Sequence, residues 1–219
     1  FVNRITFPFY SLSGLVIGFT GRSLEKDTQC KYLNSPETPL FHKGKTLFGI
    51  YQARQEISKS DKCYLVEGQF DVLSFVQSGY PNTVCGSGTA LTLDQVRIIK
   101  KFTRNITAVY DGDAAGMKAS VRNMDIMLAE GMNVRAVLLP EGEDPDSFAR
   151  KMGTEKLAKF LKKQETDFIS FIYKAFESEM DDPIRKTEVL RIIAQSISVV
   201  PDKLQRQAYI VSLAERFNA

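Results

Sequence analysis

Tryptophan is absent from the 219 residues, histidine occurs once and cysteine three times. Cys30, Cys63 and Cys85 are far apart, odd in number and form no CxxC pair. With His42 as the single histidine, this stretch lacks the ligands of a structural zinc site and fits a reducing cytoplasm. The thiols read as small apolar filler. No apolar run approaches the length of a membrane span and no secretory signal opens the chain. There is no internal repeat and no low-complexity linker. The chain begins at Phe1, already in strand-like sequence, which reads as an excised piece of a longer protein.

A net charge of +3 names no partner, but its distribution is uneven. Residues 1–62 hold nine Lys/Arg against five Asp/Glu, residues 63–150 eight against eleven, and residues 151–219 twelve against ten. A basic front followed by an acidic middle would suit gripping a polyanion beside a metal site.

The stretch Arg104 to Lys118 organises the rest. Ile106 to Tyr110 is apolar and partly β-branched, as a strand buried on both faces should be. It runs into Asp111-Gly112-Asp113, and from Ala114 onward Met117, Val121, Met124 and Leu128 recur at helical spacing. Two carboxylates therefore stand at the carboxyl end of a strand, where open α/β sheets place ligands. Side chains so close repel unless a cation or a proton joins them, and a hard divalent ion suits clustered carboxylate oxygens. An isolated DxD also fits one Asp capping the helix and the other facing water.

The remaining elements follow in order. Residues 4–22 read as a hairpin turning at Ser11 to Gly14, with Pro8 placing its first strand near an edge. Arg4 and Arg22 fall at ends of that hairpin that meet, so their guanidiniums are expected to be neighbours and to suit phosphate. Residues 26–45 read as a loop in which Lys31, His42, Lys43 and Lys45 interleave with Tyr32 and Phe41, a pattern that single-stranded nucleic acid contacts use. A helix from Leu47 to Ile57 precedes a second buried strand, Cys63 to Val66, which ends at Glu67-Gly68. Asp71 lies near the start of the helix Gln69 to Gln77, where the helix dipole favours an acid. Thr83 to Cys85 is a third strand, followed by a small-residue turn, Gly86 to Thr89, and by the capping box Thr92-x-x-Gln95 of a helix through Phe102. Val134 to Leu139 is the last strand. Behind it, Asp146 is expected to cap a short helix and Asp144 to have no such duty.

Strand–helix alternation repeated four times predicts an α/β fold with a parallel four-stranded sheet and helices on both faces. Residues 155–219 show only helical patterns, including Ile184 to Ile197 behind Asp182-Pro183 and Leu204 to Phe217 behind Pro201-Asp202. Acids thus follow three strands: Glu67, then Asp111 and Asp113, then Asp144. If the strands ending at Glu67 and Asp111 are neighbours, these carboxylates converge at the topological switch point.

Glu67-Gly at one strand end and Asp-Gly-Asp two strands later resemble the TOPRIM domain of primases and topoisomerases. Lys31-Tyr-Leu-Asn-Ser-Pro-Glu-Thr38, Phe41-His-Lys-Gly44, Val66-Glu-Gly-Gln-Phe-Asp71, Tyr110-Asp-Gly-Asp-Ala-Ala-Gly116 and Leu139-Pro-Glu-Gly-Glu-Asp-Pro-Asp146 resemble, in order and spacing, the bacterial replicative primase family of the DnaG type. The resemblance loosens after about Lys163, and Gln69-Phe70 stand where the family often has Tyr-Met.

The resemblance implies a remnant of the basic N-terminal subdomain over 1–60, a TOPRIM domain over 61–153 and a helical subdomain over 154–219. It implies nucleotidyl transfer that makes RNA primers from ribonucleoside triphosphates on a single-stranded DNA template. Glu67, Asp111 and Asp113 would be the catalytic metal ligands, with Asp71 and Asp144 in the same cluster, for two Mg²⁺ or Mn²⁺ ions. Arg4, Arg22, Lys31, Asn34 and Lys43 would face template and nucleotide. Zinc, and the replicative helicase bound through a C-terminal domain, would belong to parts outside these residues. The alternatives are a TOPRIM nuclease or topoisomerase, against which the Lys31 to Thr38 block speaks, and a non-catalytic nucleic-acid-binding module, against which the three intact acids speak.

Overall fold

The structure, a computed structural model, describes every residue except 26, 27, 29, 89, 113–116, 218 and 219 and the side chain of residue 118. Strands β1 (Arg4–Tyr10), β2 (Val16–Ser23) and β3 (Tyr32–Asn34) form an antiparallel sheet in that order, with Pro8 on the edge strand as expected. Phe7 and Phe9 alternate inward and pack edge-on against Phe48, with ring centroids 5.9 and 5.8 Å away. Those contacts tie the small sheet to the next layer.

Helix α1 (Ile50–Ser60) leads into the βα alternation: β4 (Cys63–Val66), α2 (Gln69–Gln77), β5 (Thr83–Cys85), α3 (Leu93–Lys100), β6 (Asn105–Tyr110), α4 (Met117–Ala129) and β7 (Asn133–Leu138). The four strands are parallel, and β4 pairs with both β5 and β6. All four residues of β4 are buried, because the sheet is covered on both faces. Leu65, Ile106 and Ala136 face α1, α3 and α4 through Ile57, Ile99 and Met124. Val66, Val109 and Val137 face α2 and α5 (Pro145–Gln164) through Phe75 and Phe148. Each such large side chain contributes about 1.5–3 kcal/mol on burial. The capping box forms as read: the Gln95 amide donates to Thr92 Oγ1 at 3.2 Å and Thr92 N–H to Gln95 Oε1 at 3.1 Å.

Three expectations need correction. The stretch 26–45, read as a loop, contributes β3, which is a strand because β2 is there to pair with it. The larger sheet has a fifth strand among the described residues, β8 (Thr166–Asp167), antiparallel to β7, in a stretch read as purely helical. And Asp144, not Asp146, caps α5: its Oδ1 accepts the Ser147 amide at 2.7 Å, while Pro145 takes the first helical position, where a missing N–H costs nothing. Gly153, at φ 67°, kinks α5 midway. Helices α6 (Phe168–Ala175), α7 (Pro183–Ser198) and α8 (Lys203–Phe217) complete the chain. Asp182 caps α7 by accepting the Ile184 and Arg185 amides. Helix α8 lies against the core through Tyr209, whose ring meets Phe168 at 4.9 Å, while Leu204, Ile210 and Val211 stay exposed.

Candidate active site

The strand order β5-β4-β6-β7-β8 makes β4 and β6 neighbours. Leu65 lies level with Ala108, so the chain leaves both strands at one edge of the sheet. Glu67 and Asp111 stand just past those two strand ends and line one cavity of about 570 Å³. Gly112 is needed for a close approach: a Cβ there would lie 2.3 Å from the Pro140 carbonyl oxygen. The loops after β6 and β7 therefore pack backbone to backbone, which brings Asp144 to the same cavity. Asp113 lies outside the described residues.

Asp71 is buried in the first turn of α2. Its Oδ2 accepts the Gly68 amide at 2.8 Å and its Oδ1 accepts the Asp146 amide at 3.1 Å. Asp146, in turn, accepts the Ser74 hydroxyl at 2.5 Å and Arg150 at 3.0 Å. Asp71 thus joins the loop after β4 to the start of α5 as well as serving the helix N-terminus. Its carboxyl is pushed up to about 7, by burial first and then by the charges of Asp111 and Asp144, against the pull of the Gly68 and Asp146 amides. The charges of Asp111 and Asp144 thus reach Asp71 and disfavour its ionisation. No three Asp, Glu, His or Cys side chains form a ready metal-holding group among the described residues.

The opposite wall comes from the small sheet. Arg22, Lys31, Tyr32 and Asn34 line the same cavity. Asn34 Nδ2 donates to the Ser87 carbonyl at 3.1 Å, while its Oδ1 is buried without a hydrogen-bond partner among the described residues. Arg22 Nη1 donates to the Tyr32 hydroxyl at 3.4 Å. Arg4 is not Arg22's neighbour, contrary to expectation. Arg4 is level with Ser23 and Arg22 with Ile5, so the two arginines leave opposite faces of the hairpin. The Arg4 guanidinium instead donates to the carbonyls of Gly21, Cys30 and Lys31. Lys43 is not among the residues that line the cavity. Its backbone holds the turn after β5, accepting the Ser87 hydroxyl at 2.8 Å and Gln95 Nε2 at 3.0 Å.

Comparison with known proteins identifies the family. Residues 1–54 match the family model described as DNA primase catalytic core, N-terminal domain, and residues 64–149 the model described as Toprim-like. The DNA primase of Halalkalibacterium halodurans is 36% identical over all of this chain. A crystal structure of a DNA primase domain from Pseudomonas aeruginosa superposes with a TM-score of 0.87 at 33% identity, covering all of this chain and 70% of that one. This chain belongs to the bacterial DnaG-type DNA primases. It spans 37% of the length of the Halalkalibacterium relative. A structure of the DnaG primase catalytic domain bound to ssDNA superposes at 0.83 and 33% identity, covering 97% of this chain and 70% of that one.

Within the primase family a third model, the DnaB-helicase binding domain of primase, matches residues 177–219. This corrects the expectation that such a module lies wholly outside these residues: α7 and α8 fall inside the match. Reading the sequence also missed Asp146, Ser74 and Arg150 as neighbours of the acids. Pro145 was the signal: proline favours the first helical position, so Asp144 takes the cap and Asp146 is left to face α2.

Proposed function

We propose that this chain is the part of a DNA primase that joins ribonucleotides, and that its cavity holds the reacting groups. What carries the reading is the meeting of acids from three strand ends with Arg22 and Lys31 across one cavity. The superposed DnaG catalytic domain is bound to ssDNA, which supports single-stranded DNA as template here. In the reaction a ribonucleotide 3′-hydroxyl attacks the α-phosphate of a ribonucleoside triphosphate and pyrophosphate leaves.

Glu67, Asp111 and Asp113 would hold divalent ions, Mg²⁺ or Mn²⁺, with Asp144 beside them; the all-oxygen donor set and the mutual repulsion of the acids fit such ions. When bound, these ions lower the pKa of the attacking hydroxyl and neutralise the leaving pyrophosphate. Asp71, with both oxygens accepting amides, keeps the Glu67 and Asp144 loops in register and supports the ligands from behind. Arg22 and Lys31 bind phosphates, Asn34 orients the nucleotide, and Arg4 fixes the backbone that carries Lys31. Lys43 takes a more distant template contact.

We keep the division 1–60, 61–153 and 154–219 as our reading of the parts. The match at 177–219 supports a replicative helicase as partner of the whole protein, which would act in the bacterial cytoplasm. No helix among the described residues is long and apolar enough to cross a membrane. The test is Asp111→Ala in the full-length protein. Primer synthesis from labelled ribonucleotides should be lost while the melting temperature stays; normal primer yield rejects the assignment.

A further inference from the structure

Of the three cations that line the cavity, Arg22, Lys31 and Arg150, Arg22 has its seat built from aromatic rings. Its guanidinium carbon lies 4.5 Å from the centre of the Phe70 ring and 5.7 Å from that of Tyr32. Among the described residues it makes no ion pair. Phe70 is itself held edge-on by Phe7 of β1, with centroids 5.1 Å apart at 75°. It sits in the first turn of α2, one residue before Asp71, so a single ring touches the sheet that carries the cation and the helix that carries the acid.

A ring face attracts a guanidinium through its quadrupole and accepts none of its hydrogen bonds. A carboxylate in the same place would take two of the five donors and cancel the charge. Stacking on Phe70 therefore fixes the Arg22 side chain before any ligand arrives and leaves donors and charge for a phosphate. Less side-chain freedom is then lost on binding.

We propose that Phe70 is a positioning residue that presents Arg22 to phosphate and sets the phosphate-binding wall against the acidic wall. The inference deepens the function proposed above and rests on it for the phosphate ligand, which is either the DNA backbone or a triphosphate.

The test uses the full-length protein with Phe70→Tyr, Phe70→Leu, Arg22→Ala and the Arg22→Ala/Phe70→Leu double variant. Two probes are titrated without turnover: a fluorescein-labelled oligothymidylate and a fluorescent ATP analogue. Phe70→Leu keeps the apolar contact with Phe7 but has no ring face, and should weaken one or both probes by about three- to tenfold. The probe that weakens identifies the phosphate source. Phe70→Tyr should bind as wild type does, which a purely space-filling role for the ring would not require of it while penalising leucine. The double variant should bind no more weakly than Arg22→Ala alone, because the ring acts only through that arginine. If Phe70→Leu melts early, Phe70→Met takes its place with the same expectations. Wild-type binding of both probes by the ringless variant, or losses that multiply in the double variant, overturns the proposal. Because binding needs no turnover, an Asp111→Ala protein that still made primers would end the assignment of the acids as catalytic and leave this result standing.

Discussion

Gly112 shows how one absent side chain shapes the site. The Leu139–Pro140 backbone occupies the space a Cβ would need, with the nearest carbonyl oxygen at 2.3 Å. Gly112→Ala should force the loops after β6 and β7 apart, at a cost of about 1–3 kcal/mol for the added methyl. We expect a melting temperature lower by several degrees together with lost primer synthesis; a wild-type melt and wild-type yield would mean the loops do not touch. At this scale the acids were legible because their chemistry is unusual at a strand end. The exchange of duties between Asp144 and Asp146 was not, since both can cap a helix and only the place of Pro145 separates them. The same pattern at Asp182-Pro183 read correctly. The Phe70–Arg22 stack was invisible, because the two residues are 48 positions apart and belong to different elements.

Among the elements, β8, like the short β3, is one that no local pattern announces. Two polar residues have no period, and Thr166–Asp167 is a strand only because β7 is there to pair with it. Two carboxylates anchor this edge. Burial works against ionisation of Glu165, but the Lys62 ammonium at 2.5 Å and the Thr107 hydroxyl outweigh it and hold the carboxyl below its ordinary 4.5. Burial also opposes ionisation of Asp167, which the Ser170 amide and Arg216 hold below its ordinary value. A carboxyl whose pKa is lower folded than unfolded stabilises the fold while ionised, fully above its unfolded pKa, and that share is lost as pH falls through the folded value. Stability from this edge should therefore fade as pH drops below about 4.5. Glu165→Gln should melt lower than wild type at pH 7, with the difference shrinking in acid; a difference constant with pH would show that Glu165 is not held as an ion. Asp71 runs the other way, since a carboxyl raised to about 7 costs the fold its ionisation as pH climbs from 3.8.

Across the whole molecule the two sheets divide the labour. The small antiparallel sheet brings Arg22 and Lys31, the strand ends of the parallel sheet bring acids with Arg150 of α5 beside them, and the cavity lies between. Template binding through such cations should weaken steeply with salt through release of counterions. Removing one contact, as in Lys31→Ala in the full-length protein, should weaken oligothymidylate binding and reduce the slope of log K against log salt by about 0.7. An unchanged slope would take Lys31 off the phosphate path. The small net charge hides this arrangement, because it sums over two surfaces of opposite sign that face each other.

The sequence by itself determined which segments become buried strands and which become helices, because apolar period and capping residues act over a few neighbours. It also determined that acids stand at strand ends, and through its motif blocks it pointed to the family. Only the tertiary structure decided that β4 lies beside β6, that Arg4 and Arg22 leave opposite faces of their hairpin, and that an aromatic ring seats a cation across from Asp71. These depend on pairing order, register and the packing of one element on another, and no local run of residues encodes them.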